Sequence, residues 1–150
     1  MDLIEVKIKI YQKCVEKQKE ILEYSKSAMD EAQTGANEYG SPRDRYDSFR
    51  AQLLRKRDLF AEQYNKAQKE LDFLLSLNPE YESKLALTNT LIITDKQKFY
   101  ISISLGKIEL LEGEFYVISP LAPIFQALKE KTTGETVVFN GQKIKIIDLI

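Results

Sequence analysis

Two hydrophobic periods divide this chain of 150 residues, and the change between them at Asn78-Pro79 constrains the fold more than any other feature. Before that point, apolar residues recur at alternating spacings of three and four, as in helices that pack along one seam. After it, short runs of β-branched and aromatic residues resemble strands. Proline removes a hydrogen-bond donor and disfavours helical geometry in the residue before it. The sequence therefore predicts an α+β protein with helices first and a sheet second.

Two long helical segments make up the first part of the chain. They are separated by the stretch TGANEYGSPRDRYDS at residues 34–48, which holds two glycines and a proline. We expect an antiparallel coiled-coil hairpin over residues 1–78, with a helical bundle or a dimeric coiled coil as the alternative. Seven of nine seam positions are apolar in each segment: Ile4, Ile8, Tyr11, Val15, Gln18, Leu22, Ser25, Met29 and Ala32, and Tyr46, Arg50, Leu53, Arg57, Phe60, Tyr64, Ala67, Leu71 and Leu74.

The second part reads as a small antiparallel β domain over residues 83–150. Its strand-like runs are LALTNTLIIT, KFYISISL, EFYVIS, ETVVFN and KIKIIDLI. Asn140-Gly141 between two of these runs predicts a type I′ hairpin turn, since both residues tolerate a positive φ. One helix, from about Leu121 to Lys131, is expected between the strands.

The absence of histidine excludes several classes of enzyme. Ser-His and Cys-His nucleophile pairs, histidine acid-base catalysis and mixed Cys/His zinc sites all need a residue that this chain lacks. The single cysteine, Cys14, lies within a helical pattern and is expected to be a small buried apolar residue. We therefore expect neither an enzyme nor an intrinsic cofactor or metal.

The charge of the chain is balanced, with 22 basic and 23 acidic residues and a formal net charge of −1. No global field therefore attracts it to nucleic acid or to an anionic membrane. Residues 1–10 alternate charged and apolar residues where a signal peptide would need an unbroken apolar region, and no run is long enough to span a membrane. We expect a cytoplasmic protein without membrane attachment or sequence-specific binding to nucleic acid.

A proline-containing motif opens the last third of the chain, YVISPLAPIFQALKEKTTGETVVFNGQKIKIIDLI at residues 116–150. An Ile-Ser-Pro is followed by a second proline, a short helix, a Lys-x-x-Gly-Glu turn, a Val-rich strand and a final strand that ends in Ile. This arrangement resembles the end of the Gre family of bacterial transcript-cleavage and elongation factors. The matching residues are Ile118, Ser119, Pro120, Pro123, Ala127, Leu128, Lys131, Gly134, Glu135, Val137, Val138 and Ile150.

The helical hairpin is similar to the other half of the Gre family in length and order, so the resemblance covers the whole architecture. It is closest to a short Gre-like branch with an atypical coiled-coil tip. The resemblance implies a C-terminal domain similar in fold to FK506-binding prolyl isomerases, without isomerase activity. It also implies RNA polymerase as the partner of a monomeric protein. The C-terminal domain would dock beside the secondary channel, with Ser119, Pro120 and Pro123 as docking candidates, and the coiled coil would enter the channel.

In the Gre family, acidic residues at the hairpin tip help to hold a second Mg²⁺ at the active site of the polymerase, so the hydrolysis belongs to the polymerase. This chain departs from the family's tip motif, Gly-Asp-Leu-x-Glu-Asn-x-Glu-Tyr. If Tyr46 aligns with the tyrosine of the motif, the two metal-holding positions fall on Tyr39 and Pro42. If Tyr39 does, they fall on Ala32 and Gly35. Stimulation of transcript cleavage is therefore doubtful, and the implied function is modulation of elongation or initiation.

The acids nearest the turn are Glu38, Asp44 and Asp47. They are candidates for facing an Mg²⁺ shared with the polymerase. The alternative is helix capping, because Asp44 and Asp47 suit the first turn of the second helix, where negative charge meets the helix dipole. Ser41 before Pro42 is in turn a natural N-terminal cap.

The second helical segment carries a basic stretch formed by Arg50, Arg55, Lys56 and Arg57. Such a face could meet acidic channel walls or phosphates, or it could simply be solvated. A different class of function also stays open, in which the chain is a coiled-coil adaptor or a self-associating structural protein with no polymerase role. That alternative predicts a dimer with the seam residues buried between chains: Ile8, Val15, Leu22, Phe60 and Leu71.

Overall fold

The structure, a computed structural model, describes residues 2–38 and 44–150. Two long helices precede six strands, with a short helix between the fourth and fifth strands. The elements are α1 (Leu3–Glu38), α2 (Asp44–Leu75), β1 (Leu91–Thr94), β2 (Lys98–Ile101), β3 (Gly106–Leu110), β4 (Gly113–Ile118), α3 (Pro123–Leu128), β5 (Thr136–Phe139) and β6 (Gln142–Leu149). The predicted α+β class, with a helical hairpin, a sheet and one short helix, is confirmed.

The described residues form two compact units. One comprises Glu16–Asp72, and the other comprises the chain up to Val15 together with Phe73–Ile150. The second unit thus combines the sheet with the first turns of α1 and the last residues of α2. The expected domains, residues 1–78 and 83–150, are divisions of the sequence, whereas these units are groups of residues in spatial contact. The expected domain division stays a prediction.

Within Glu16–Asp72 the two helices pair in the antiparallel sense that the sequence predicts. The Gln18 amide Nε2 donates to the carbonyl oxygen of Ala67 at 3.0 Å, and the Arg57 Nη1 donates to Oε1 of Gln33 at 2.5 Å. Position 18 thus lies opposite 67 and position 33 opposite 57, as antiparallel pairing requires. The fully buried residues of this unit are small or polar with one exception, Leu71: Gln18, Ser25, Ala32, Ala36, Ala67 and Leu71.

The six strands form one sheet in the order β3-β4-β2-β1-β6-β5. Four ladders are antiparallel, but β2 and β4 pair in parallel, with Tyr100 opposite Val117. This parallel ladder differs from the expected wholly antiparallel sheet. After β2 the chain does not form the neighbouring strand but first forms β3 at the edge of the sheet. It then reverses direction and enters the position between β3 and β2 as β4, which therefore runs parallel to β2. The strand β3 is absent from the sequence prediction.

Both faces of the sheet carry an apolar core. One face packs against α3, and the other packs against the first turns of α1 and the end of α2. The first core comprises Ala86, Ile92, Phe99, Ile101, Phe125, Leu128, Ile144, Ile146 and Leu149. The second comprises Val6, Ile10, Cys14, Leu74, Leu91, Tyr100, Ile103, Ile108, Phe115 and Val117. Cys14 is fully buried there, as predicted.

Two local expectations have different outcomes. The turn between β5 and β6 is confirmed, because Asn140 and Gly141 both have positive φ, 49° and 76°. The short helix is shorter than the expected Leu121 to Lys131. It begins only at Pro123, and it ends at Leu128 because Lys129 leaves the helical conformation and Glu130 adopts a φ of 63°.

None of the helices in residues 2–38 and 44–150 has a stretch that is both long enough and apolar enough to cross a bilayer.

Candidate functional site

The predicted acidic tip is only partly within the described residues. Glu38 is the last residue of α1, and its side chain is exposed. Asp44 and Asp47 belong to the first turn of α2, and their side chains lie outside the description. The expected Ser41-Pro42 cap also lies outside the described residues. The structure therefore places the three acids near the two helix ends, and both the metal hypothesis and the capping hypothesis stay predictions.

Two of the four residues in the predicted basic stretch of α2 hold the hairpin together. The Arg57 guanidinium donates to Gln33 of α1 and to Oδ1 of Asp58, the latter at 2.6 Å through Nη2. The Arg50 Nε donates to the carbonyl oxygen of Ala36 at 3.3 Å. Both guanidinium groups therefore serve packing between the helices.

Arg55 and Lys56 are the other two basic residues, and both side chains are exposed. Neither forms an ion pair within the described part of the chain. The basic face that an external partner can meet is thus smaller than the sequence suggests, with two cations instead of four.

Lys56 also borders a depression of about 400 Å³ between the two helices. Tyr24 and Phe60 form one side of it, with ring centroids 6.2 Å apart and an edge-to-face angle of 81°. Small residues, including Ala28 and Ala32, leave the space open. Tyr24 is 67% exposed, so most of its side chain remains accessible beside Phe60.

The docking candidates Ser119, Pro120 and Pro123 form a rigid turn between β4 and α3. The Ser119 hydroxyl accepts from the amide of Leu121 at 3.1 Å, and the Pro120 carbonyl accepts from the side-chain amide of Gln126 at 2.6 Å. Pro123 lies in the first turn of α3, where its missing N–H costs no helical hydrogen bond. These bonds fix the turn while Leu121 remains 86% exposed. The sequence indicated the prolines but not the exposed leucine.

Sequence reasoning missed a buried polar cluster at the start of α1. Lys7 is fully buried, and its ammonium donates to the carbonyl oxygen of Tyr81 at 2.6 Å. Burial lowers the pKa of Lys7 to about 8, and the nearby Glu82 carboxylate opposes this shift in part. No sequence signal marks Lys7, because lysine commonly occupies the flank of a helical seam with its charge in water.

Asn89 holds the same connecting segment from the other side. Its Nδ2 donates to the carbonyl oxygen of Asn78 at 2.7 Å, and its Oδ1 accepts from the hydroxyl of Tyr100 at 2.7 Å. Its φ of 70° is a conformation that asparagine tolerates better than most residues. Burial raises the pKa of the Tyr100 phenol, so this hydroxyl remains a donor at any physiological pH. Lys7 and Asn89 thus fix the chain between α2 and β1.

The described residues contain no group of three or more metal-ligating side chains. An exposed ion pair between Lys9 and Glu112 raises the pKa of the lysine and lowers that of the carboxylate.

Comparisons with known proteins give few relatives. No family model matches the sequence, and no curated protein matches it. Among solved structures, the chain is similar to GreA factor homolog 1 (Gfh1) of Thermus thermophilus, with 11% identity over 95% of this chain and 93% of that chain and a TM-score of 0.35. It is also similar to a structure of the transcription factor Gfh1, with 15% identity over 90% of this chain and 92% of that chain and a TM-score of 0.34.

Proposed function

We propose that this chain is a Gre-like transcription factor that binds bacterial RNA polymerase at its secondary channel and modulates elongation or initiation. It acts in the cytoplasm as a monomer, without membrane attachment or sequence-specific contact to nucleic acid. It is not itself an enzyme and has no cofactor of its own. Any Mg²⁺ at its tip is shared with the polymerase.

The observation that carries this proposal is the arrangement of residues 116–150. Ile118 ends β4, Ser119 and Pro120 form the fixed turn, and Pro123 begins α3. Gly134 then adopts the positive φ of 92° that a turn before β5 needs. The residues that resemble the Gre family thus form a strand end, a fixed turn, a helix start and a glycine turn in that order. A helical hairpin precedes them, as in that family.

The surfaces of the sheet domain and of the helical hairpin suit different roles in binding. The turn at Ser119 and Pro120 is rigid and presents the exposed Leu121, which suits docking on a protein surface. The hairpin presents Glu38 at the end of α1 and Arg55 and Lys56 on α2. Charged groups of both signs suit a charged channel, where they direct orientation more than they add affinity.

The test is an assay on backtracked complexes, in which the chain is added to RNA polymerase from its own host, stalled on a labelled transcript. The proposal predicts binding to the polymerase with little or no shortening of the RNA. The triple change Glu38→Ala, Asp44→Ala and Asp47→Ala should then leave RNA length unaffected.

The matched control removes three exposed acids elsewhere on α1, by Glu16→Ala, Glu20→Ala and Glu23→Ala. Shortening that is lost in the tip triple but kept in the control would make the chain a cleavage factor with an altered tip. Absence of any binding to the polymerase would contradict the proposed function and favour an adaptor that acts elsewhere.

A further inference from the structure

The two edges of the sheet differ in how they are protected. At one edge, β3 carries alternate charges, and its Lys107 ammonium lies 3.1 Å from Glu109 and 3.2 Å from Glu114. Charged side chains of this kind discourage another strand from pairing with an edge. At the other edge, β5 consists of Thr-Val-Val-Phe, with no charge and no proline. Its register with β6 is unbroken from Thr136 to Phe139.

The outer backbone groups of β5 are available for pairing. The positive φ at both Asn140 and Gly141 gives a two-residue turn that makes Phe139 and Gln142 a hydrogen-bonded pair. Such pairs alternate along an antiparallel ladder, so the next one is Val137 with Ile144. The N–H and C=O groups of Val138 therefore point away from β6, toward the open edge.

The side chains beside this edge combine apolar surface with positive charge. Val138 is 65% exposed, and Lys143 lies directly opposite it on β6, on the same face of the sheet. Lys145 lies on that face opposite Thr136. Neither lysine side chain forms an ion pair or hydrogen bond among the described residues. Ile147, further along β6, is 49% exposed.

We propose that β5 is a docking edge for an extended acidic segment of a partner protein, which adds a seventh strand to the sheet. Backbone hydrogen bonds to the outer groups of Thr136 and Val138 supply the pairing. Carboxylates at alternate positions of the added strand lie on the face of Lys143 and Lys145, beside Val138. The strand's apolar side chains lie on the opposite face, beside Val137 and Phe139. This proposal is independent of polymerase binding.

Charge complementarity selects the occupant. A second copy of this chain paired through β5 would offer Lys143 and Lys145 no carboxylate from its adjoining strand, because β5 is uncharged, and its own two lysines would lie on the same face about 14 Å away. A basic segment would bring like charges to the face of both lysines, which is destabilising. An acidic strand converts both lysines into ion-pair partners, and the long lysine stems can lean across the short β5 to reach it.

The test measures the binding of two fluorescein-labelled peptides to the full chain by anisotropy at low salt. One peptide has eight residues that alternate glutamate and valine, and the other has lysine in place of each glutamate. We expect the glutamate peptide to bind more tightly than the lysine peptide by about tenfold or more. The variant Lys143→Glu/Lys145→Glu should reverse this preference. The control Lys19→Glu/Lys26→Glu, which makes the same charge change on exposed positions of α1, should leave it unchanged.

A second pair of variants tests the strand pairing itself. Val138→Pro removes an N–H that points to solvent, so the ladder with β6 should survive, and an unchanged circular dichroism melt would verify this. Binding of the glutamate peptide should fall by about tenfold or more in Val138→Pro but not in Val138→Thr, which keeps the N–H. The proposal is overturned if neither peptide binds at concentrations up to about 1 mM. It is also overturned if both peptides bind equally, or if Val138→Pro binds the glutamate peptide as tightly as the parent chain does. A dimer that dissociates on Val138→Pro would equally overturn it, since the occupant would then be a second copy.

Discussion

At the scale of single residues, Gln18 is the clearest departure from an apolar seam. Its Oε1 is buried and has no hydrogen-bond partner among the described residues, while its Nε2 donates to the carbonyl oxygen of Ala67. A buried acceptor without a partner costs about 1–3 kcal/mol. The carbonyl of Ala67 lies in the interior of α2 and has its helical partner in any case. Gln18 therefore contributes to the register of the hairpin at a cost in stability.

We predict that Gln18→Leu raises the free energy of unfolding by about 1 kcal/mol, because it removes an unpaired buried polar atom and adds apolar surface to the seam. Denaturant unfolding followed by circular dichroism measures the change. Gln33→Leu is the matched control and should lower stability, because Gln33 accepts from Arg57. A loss of stability in Gln18→Leu as large as that in Gln33→Leu would contradict this account.

Lys7 makes stability depend on pH in a defined window. Its pKa is about 8 in the folded chain and 10.5 when unfolded, so between these values the unfolded state binds more protons. Stability from this group should therefore rise as pH rises from 8 to 10, with a slope of at most about 1.4 kcal/mol per pH unit. Burial raises the pKa of the Tyr100 phenol above its ordinary value of 10.0. The contribution of this group to stability therefore falls as pH rises, but only above pH 10.

The variant Lys7→Met should remove this rise and should be more stable than the parent chain at pH 7. Chemical unfolding at pH 7, 8, 9 and 10 measures both effects. Lys13→Met, at a less buried position of α1, is the control and should keep the rise. A flat profile in the parent chain would show that the Lys7 ammonium is solvated.

At the scale of elements, the turn between β5 and β6 depends on glycine. Gly141 has a φ of 76°, and an added Cβ would meet nothing within 4 Å, so the cost of a side chain there is purely one of backbone conformation. We predict that Gly141→Ala lowers stability by about 1 kcal/mol. Asn140→Gly should be close to neutral, since glycine also accepts a positive φ. Thermal melts of both variants measure the difference, and equal melting temperatures would contradict it.

The seam within Glu16–Asp72 buries little apolar surface, since most of its fully buried residues are alanine, serine or glutamine. Local opening should therefore be easier there than in the unit that contains the sheet. We predict faster hydrogen exchange for amides of residues 18–36 than for those of residues 5–14, measured by mass spectrometry. Equal protection of both stretches of α1 would show that the hairpin opens only by global unfolding.

The sequence predicted buried positions best where an element packs against a single neighbour, because one packing surface gives one hydrophobic period. In α1 the predicted seam lay on Ile4 and Ile8, but Val6 and Ile10 are the fully buried positions. The reason is that this end of the helix packs on the sheet as well as beside α2, which no helical period can show. The strand β3 was missed because its Lys107 and Glu109 give it a polar edge, with only Ile108 fully buried.

The candidate sites were predictable in part. The proline turn at Ser119 was visible because Pro120 and Pro123 have fixed backbone requirements. The contacts of Arg50 and Arg57 with α1 were not predictable, because charge in a sequence does not show whether a guanidinium meets solvent or the neighbouring helix. The open β5 edge depends on strand order, which the sequence did not indicate.

At the scale of the whole molecule, the chain comprises a hairpin with few deeply buried apolar residues among those described and a sheet domain with two apolar cores. The proposed Gre-like binding to RNA polymerase requires that both parts of the chain contact one partner at the same time.

The most direct test is displacement of a fluorescent transcript-cleavage factor from RNA polymerase of the same organism by this unlabelled chain. The proposed function predicts complete displacement at saturation, with one chain bound per polymerase, since the two proteins would then compete for one secondary channel. A polymerase that keeps the labelled factor at saturating concentrations of this chain would contradict the central claim.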